Sequence, residues 1–154
     1  MTTTTTDRIE KQILLRAPRE RVWRALTESR EFGAWFQAVF QGPFRPGEPV
    51  QGRITYPGYE HMEFVLLVET MEPERLFTFR WHPNAVEPGA DYSQEPTTLV
   101  TFTLEEVDGG TLLRLVESGF DSIPVARRAD ALKSNESGWA EQMKAIEAYL
   151  RQHP

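Results

Sequence analysis

Apolar residues recur in two rhythms along this chain, and the change of rhythm divides it. Over residues 124–151, Leu132, Trp139, Met143, Ile146 and Leu150 fall at spacings of three, four or seven, which makes one stripe of an α-helix. Pro124 suits the first turn, where its missing N–H is no loss, and Ser122 just upstream is placed to cap. At ~1.5 Å per residue this helix would run roughly 40 Å, the width of a small domain. Asn135, Ser137 and Gly138 in its middle are poor helix formers, which predicts a kink or a close backbone approach there. A long helix with one apolar face needs a sheet to lie on.

The rest of the chain reads as that sheet, with a helical insert near its start. Residues 9–16 form an imperfectly alternating strand. Ala17-Pro18 opens a helix through about Thr27 with Val22, Trp23 and Leu26 as its buried edge, and 29–36 is a second short helix weakened by Gly33. From 38 to 120 the period becomes two. Pro-Gly pairs at 46–47 and 57–58 bracket a strand at 50–56, and 60–71 is a longer strand. Residues 72–75 turn it into 76–81, where Phe77, Phe79 and Trp81 share one face. Segment 82–96 carries three prolines and several acids; a loop of that length suits a lid or a partner contact. In 97–107, Val100, Phe102 and Leu104 share a face, and Asp108-Gly109-Gly110 turns into 111–119. The order predicts an α+β fold: a curved antiparallel sheet wrapped around a long C-terminal helix, two short helices after the first strand, and an apolar cleft between sheet and helix. A disordered leader over 1–8 and a single domain over 9–152 complete the expected organisation.

Composition narrows the function. A net charge of −6 over 154 residues disfavours nucleic acid and anionic membrane as partners, since both reward Lys and Arg. The absence of cysteine removes disulfides, thiolate nucleophiles and Cys-based metal sites. No apolar run approaches a membrane span and the first residues lack the parts of a signal peptide, so a cytoplasmic location is expected. His61, His82 and His153 show no metal-binding spacing, and neither metal nor cofactor is predicted. Phosphate-binding glycine loops and nucleophile elbows are absent as well.

Glu117 stands out. It continues the face that holds Leu113 and Leu115, so an acid joins an apolar row. Inside the cleft it would be a polar anchor or a general acid or base; at a strand end it would pair with Arg114 or Arg53, or with water. His61 is a second acid–base candidate, and Arg53 and Arg80 could hold an anionic group. The aromatic residues Trp35, Tyr56, Phe79, Trp81, Phe102 and Trp139 converge on the cleft, with Asn135 and Met143 from the long helix. They serve as core, as ligand wall, or as both.

The stretches ILLRAPRERVWRALTESREFGAWF, FRPGEPVQGRI, MEPERLFTFRWHP, TTLVTFTLEE, TLLRLVESGF and NESGWAEQMKAIEAYL, in that order, resemble the SRPBCC or START-like superfamily with its helix-grip fold. Within it the match is to the group named for the activator of the heat-shock-protein-90 ATPase. The resemblance implies a hydrophobic cavity between sheet and long helix and no shared catalytic set. Three functions stay open on it. The first is binding of a small hydrophobic or aromatic molecule such as a lipid, polyketide or phenolic compound. The second is a polyketide cyclase- or hydrolase-like enzyme using Glu117 or His61. The third is a stress-related protein-interaction module with a chaperone partner. A homodimer through the 82–96 loop or exposed strand edges is also open.

Overall fold

A computed structural model describes residues 7–83 and 91–154. Residues 1–6 of the expected leader and 84–90 of the expected loop lie outside the described residues. Strand β1 (Arg8–Leu15) leads into α1 (Arg19–Thr27) and α2 (Ser29–Phe36). Six strands follow: β2 (Ala38–Phe40), β3 (Pro49–Ile54), β4 (Glu63–Glu72), β5 (Leu76–Trp81), β6 (Thr98–Val107) and β7 (Gly110–Ser118). A short 3-10 turn at Phe120–Ser122 then precedes α3 (Val125–Gln152). All seven strands join one antiparallel sheet in the order β1-β7-β6-β5-β4-β3-β2. The architecture is the α+β helix-grip arrangement, a curved sheet around the terminal helix.

Alternation decides which side chains face that helix. Phe77 and Phe79 on β5, Val100 and Phe102 on β6, and Leu113 and Leu115 on β7 are completely buried, against Ala131, Trp139, Met143, Ile146 and Leu150 of α3. Register places Phe77 opposite Phe102, Phe79 opposite Val100 and Phe102 opposite Leu115, so the inner face is a continuous apolar lattice. In β4 the pairing with β5 shifts between Val68 and Thr70, a bulge of the kind that bends a strand. Trp35 Nε1 donates to the Ala25 carbonyl at 2.9 Å, tying α2 to α1. Gly33 is required by packing: a Cβ there would meet the Ala38 carbonyl oxygen at 2.2 Å.

Three expectations change. Ser122 does not cap α3; it lies in the 3-10 turn, its N–H donating to Gly119 O, and Arg127 and Arg128 donate to Pro124 O at the helix start. The middle of α3 is not a site of close backbone approach: the helix runs unbroken through Asn135, Ser137 and Gly138, and a Cβ on Gly138 would touch nothing within 4 Å. Packing of the flanking apolar stripe overrides the ~1 kcal/mol helix penalty of one glycine. Arg8 already belongs to β1, and Asp7 accepts from the backbone of Gly119, Phe120 and Asp121. No helix among the described residues is long and apolar enough to cross a membrane.

Candidate functional site

The sheet–helix interface is not filled along its whole length. At one end lies a pocket of about 230 Å³. Its apolar wall is Phe36 from the end of α2, Ile54 from β3, Phe64 from β4, Trp81 from β5 and Trp139 from α3, with Met62 just before β4. Ring centroids 5.7 Å apart for Trp81 and Trp139, 6.0 Å for Phe36 and Trp81, and 6.4 Å for Phe64 and Trp81 make this wall continuous. Its polar members are His82, Ser134, Asn135 and Gln142, and Gly138 leaves the helix side bare. A wider depression of about 740 Å³, lined by Trp35, Tyr56 and Tyr59 among others, shares Phe36, Ile54, Met62, Gly138 and Gln142 with it.

Behind the wall sits Glu117, with none of its surface exposed. Trp81 and Thr98 are register partners on β5 and β6, and Glu117 is opposite Val100, two residues beyond Thr98 on the same face. Period-two geometry on three neighbouring strands therefore aims these side chains at one point. Helix α3 adds Asn135 and Trp139, four residues apart and so on one face. Trp81 Nε1 donates to Oε2 at 2.7 Å and Thr98 Oγ1 to the same oxygen at 2.5 Å. Trp139 Nε1 donates to Oε1 at 2.8 Å, and Asn135 Nδ2 reaches Oε1 at 3.0 Å and Oε2 at 3.2 Å. The two indoles and the amide nitrogen can only donate, so both Glu117 oxygens accept. Burying such a group without partners would be prohibitive; four donors of fixed geometry make it tolerable.

The other predicted residues fall in distinct places. Trp81, Asn135 and Trp139 line the pocket. Phe79, Phe102 and Met143 are core residues behind it. Trp35 is buried between the helices, and Tyr56, 52 % exposed, edges the wider depression. His61 is on the surface. Its counterpart His82 reaches the pocket, its Nε2 lying 3.0 Å from Glu95 O. Arg80 pairs with Glu69 on the exposed face at 3.1 Å, and Arg53 is exposed. Ser137 is exposed, whereas Ser134 lines the wall. Phe36, Ile54, Met62 and Phe64 on the apolar wall, and His82, Ser134, Gly138 and Gln142 beside them, are the members sequence reasoning did not nominate. Phe64 was readable, as it continues the inward alternation of Leu66 and Val68; Phe36 and Met62 sit at element ends, where periodicity carries no direction. Beside the mouth, Arg127 Nη2 and Nε bind the Glu95 carboxylate at 2.6 and 3.1 Å, tying the described part of the 82–96 segment to the first turns of α3.

A family model described as Activator of Hsp90 ATPase homolog 1-like protein matches residues 16–151. No curated protein sequence matches the chain. Among solved structures, protein MLL2253 from Mesorhizobium loti is 24% identical with a TM-score of 0.74, covering 96% of this chain and 98% of that one. The solution structure of the Aha1 dimer from Colwellia psychrerythraea is 17% identical, TM-score 0.68, over 91% and 92% of the two chains. DynU16, a protein in the dynemicin biosynthetic locus, is 22% identical, TM-score 0.72, over 94% of this chain and 47% of its own length.

Proposed function

The chain belongs to the family of Activator of Hsp90 ATPase homolog 1-like proteins, and we propose that this member binds a small apolar or aromatic molecule in the pocket between β3–β5, α2 and α3. One observation carries the reading: about 230 Å³ of open space walled by four aromatic rings, an isoleucine and a methionine. A closed apolar cavity of ~150 Å³ already holds benzene, so this volume suits a ligand portion of one or two rings. Apolar burial drives binding at ~25 cal/mol per Å², less the cost of association. Asn135, Ser134 and Gln142 on one wall orient the ligand by hydrogen bonds.

A cyclase- or hydrolase-like enzyme is the second reading, favoured by the carboxylate one side chain behind the wall. Both Glu117 oxygens already accept hydrogen bonds, so proton exchange with a ligand requires Asn135 to swing aside. Binding without chemistry needs no such movement and is preferred.

Melting the protein in the presence of phenolic, polyketide-like and lipid libraries tests the proposal. A true ligand at a hundred times its Kd stabilises by ~2.7 kcal/mol and shifts tryptophan emission, since Trp81 and Trp139 form the wall. A library with no effect on melting or emission refutes binding. Turnover of a hit that disappears in Glu117→Gln while binding persists moves the assignment to the enzyme.

A further inference from the structure

We propose that the ligand carries a positive charge, an alkylammonium or quaternary ammonium group seated against the aromatic wall. This names the ligand class of the same pocket and rests on the binding reading. The starting point is the charge behind the wall. Glu117 is wholly buried, and its hydrogen-bond partners Trp81, Thr98, Asn135 and Trp139 are all neutral. Among the described residues neither Lys nor Arg lines the pocket. Arg127, which reaches the Pro83 carbonyl next to His82, is held by Glu95. His82 is the titratable group on the wall, and its Nε2 faces a carbonyl oxygen. Among the described residues Glu117 forms no ion pair, and three of its four partners, Trp81, Asn135 and Trp139, line the pocket.

Two indoles stand between that charge and a ligand. Each turns Nε1 to Glu117, at 2.7 Å for Trp81 and 2.8 Å for Trp139, so ring carbon is what they present to the pocket. Aromatic faces attract cations, tryptophan most strongly. Donating the N–H to a carboxylate enriches the ring in electron density, which strengthens that attraction. Glu117 itself has no exposed surface, so water screens its charge less than it would at the protein surface. A cation thus gains from ring faces and from the carboxylate together, while an anion such as a fatty acid or phenolate loses on both counts.

Three probes of matched shape separate charge from burial: choline, its uncharged carbon isostere dimethylbutanol, and the corresponding anion dimethylbutanoate. Each is titrated into the full chain at low ionic strength, read by tryptophan emission and calorimetry. The expected order is choline first, ahead of dimethylbutanol by about threefold to thirtyfold, with dimethylbutanoate weakest. Glu117→Gln shrinks the lead of choline over dimethylbutanol toward unity. The wild-type order decides the question even if that variant fails to fold. Equal binding of choline and dimethylbutanol, or a preference for dimethylbutanoate, overturns the charge preference and leaves the pocket reading standing. If none of the three binds, the charge preference falls, and the library melt alone decides the pocket reading.

Discussion

Two acids contact the same terminal helix and are compensated in opposite ways. Near the C-terminal end of α3, Glu31 is 12% exposed and held by cations: Arg21 Nη2 lies 2.8 Å from one oxygen and Arg24 Nε 3.0 Å from the other. Tyr149 O–H donates at 2.8 Å. Arg21 also donates Nε to the His153 carbonyl and lies over the Tyr149 ring. In mid-helix, Glu117 is completely buried and held only by neutral donors from two strands, β5 and β6, and from α3. The first arrangement neutralises charge where water is close. The second leaves a charge intact behind an aromatic wall, at a far higher desolvation cost, and it is the second that adjoins the open pocket. Even hydrogen-bond economy differs: among the described residues, Arg21 Nη1 is a buried polar atom without a partner, whereas both Glu117 oxygens accept twice or more.

The contrast breaks most visibly at Glu117. Replacement by Ala leaves two indoles, a hydroxyl and an amide without their acceptor, and should cost ~3–5 kcal/mol in urea unfolding. A loss under ~1 kcal/mol would mean the donors find other partners and the carboxylate organises nothing. Glu31→Gln should be milder, ~1 kcal/mol at neutral pH, with a pH signature. Burial raises the Glu31 pKa, but the Tyr149 hydroxyl and the Arg21 and Arg24 guanidiniums outweigh it and hold the group below the ordinary 4.5. The folded state therefore binds the proton less well than the unfolded one. The stabilisation is complete above pH 4.5 and is lost as pH falls through the lowered value. The difference between wild type and Glu31→Gln should shrink in acid; a difference constant down to pH ~3 would contradict the ion-pair assignment. The smallest effect belongs to Gly138→Ala, at a site where a Cβ meets nothing. It should stabilise by ~0.5–1 kcal/mol through helix propensity while trimming the pocket from its bare side. A lower melting temperature would show that the helix is close-packed at this position.

Much of the scaffold was legible in the chain because it rests on local periodicity. The bounds of α2 and β5 follow directly from SREFGAWF and LFTFRW, and β7 shows its acid on the Leu113 and Leu115 face without any reference to the rest of the fold. Short β2 was not distinguished, since three residues are too few to display a period. The pocket was visible only in part. Trp81, Asn135 and Trp139 could be nominated as inward residues, but nothing local separated them from Phe79, Phe102 and Met143, which the same patterns turn inward and the structure seals in the core.

The one-dimensional pattern determined which side of each element is apolar, because that depends on spacings of two and 3.6 residues along a single segment. Whether an inward residue meets another side chain or an empty space depends on elements far apart in the chain. The Trp81–Glu117 bond spans 36 residues and the Thr98–Glu117 bond 19. Only the registers of β5, β6 and β7 and the seating of α3 bring those groups to one point. Tertiary structure alone therefore decided that Glu117 is a shared acceptor and that the cleft stays open beside it, because closure is a property of packed volume rather than of sequence period.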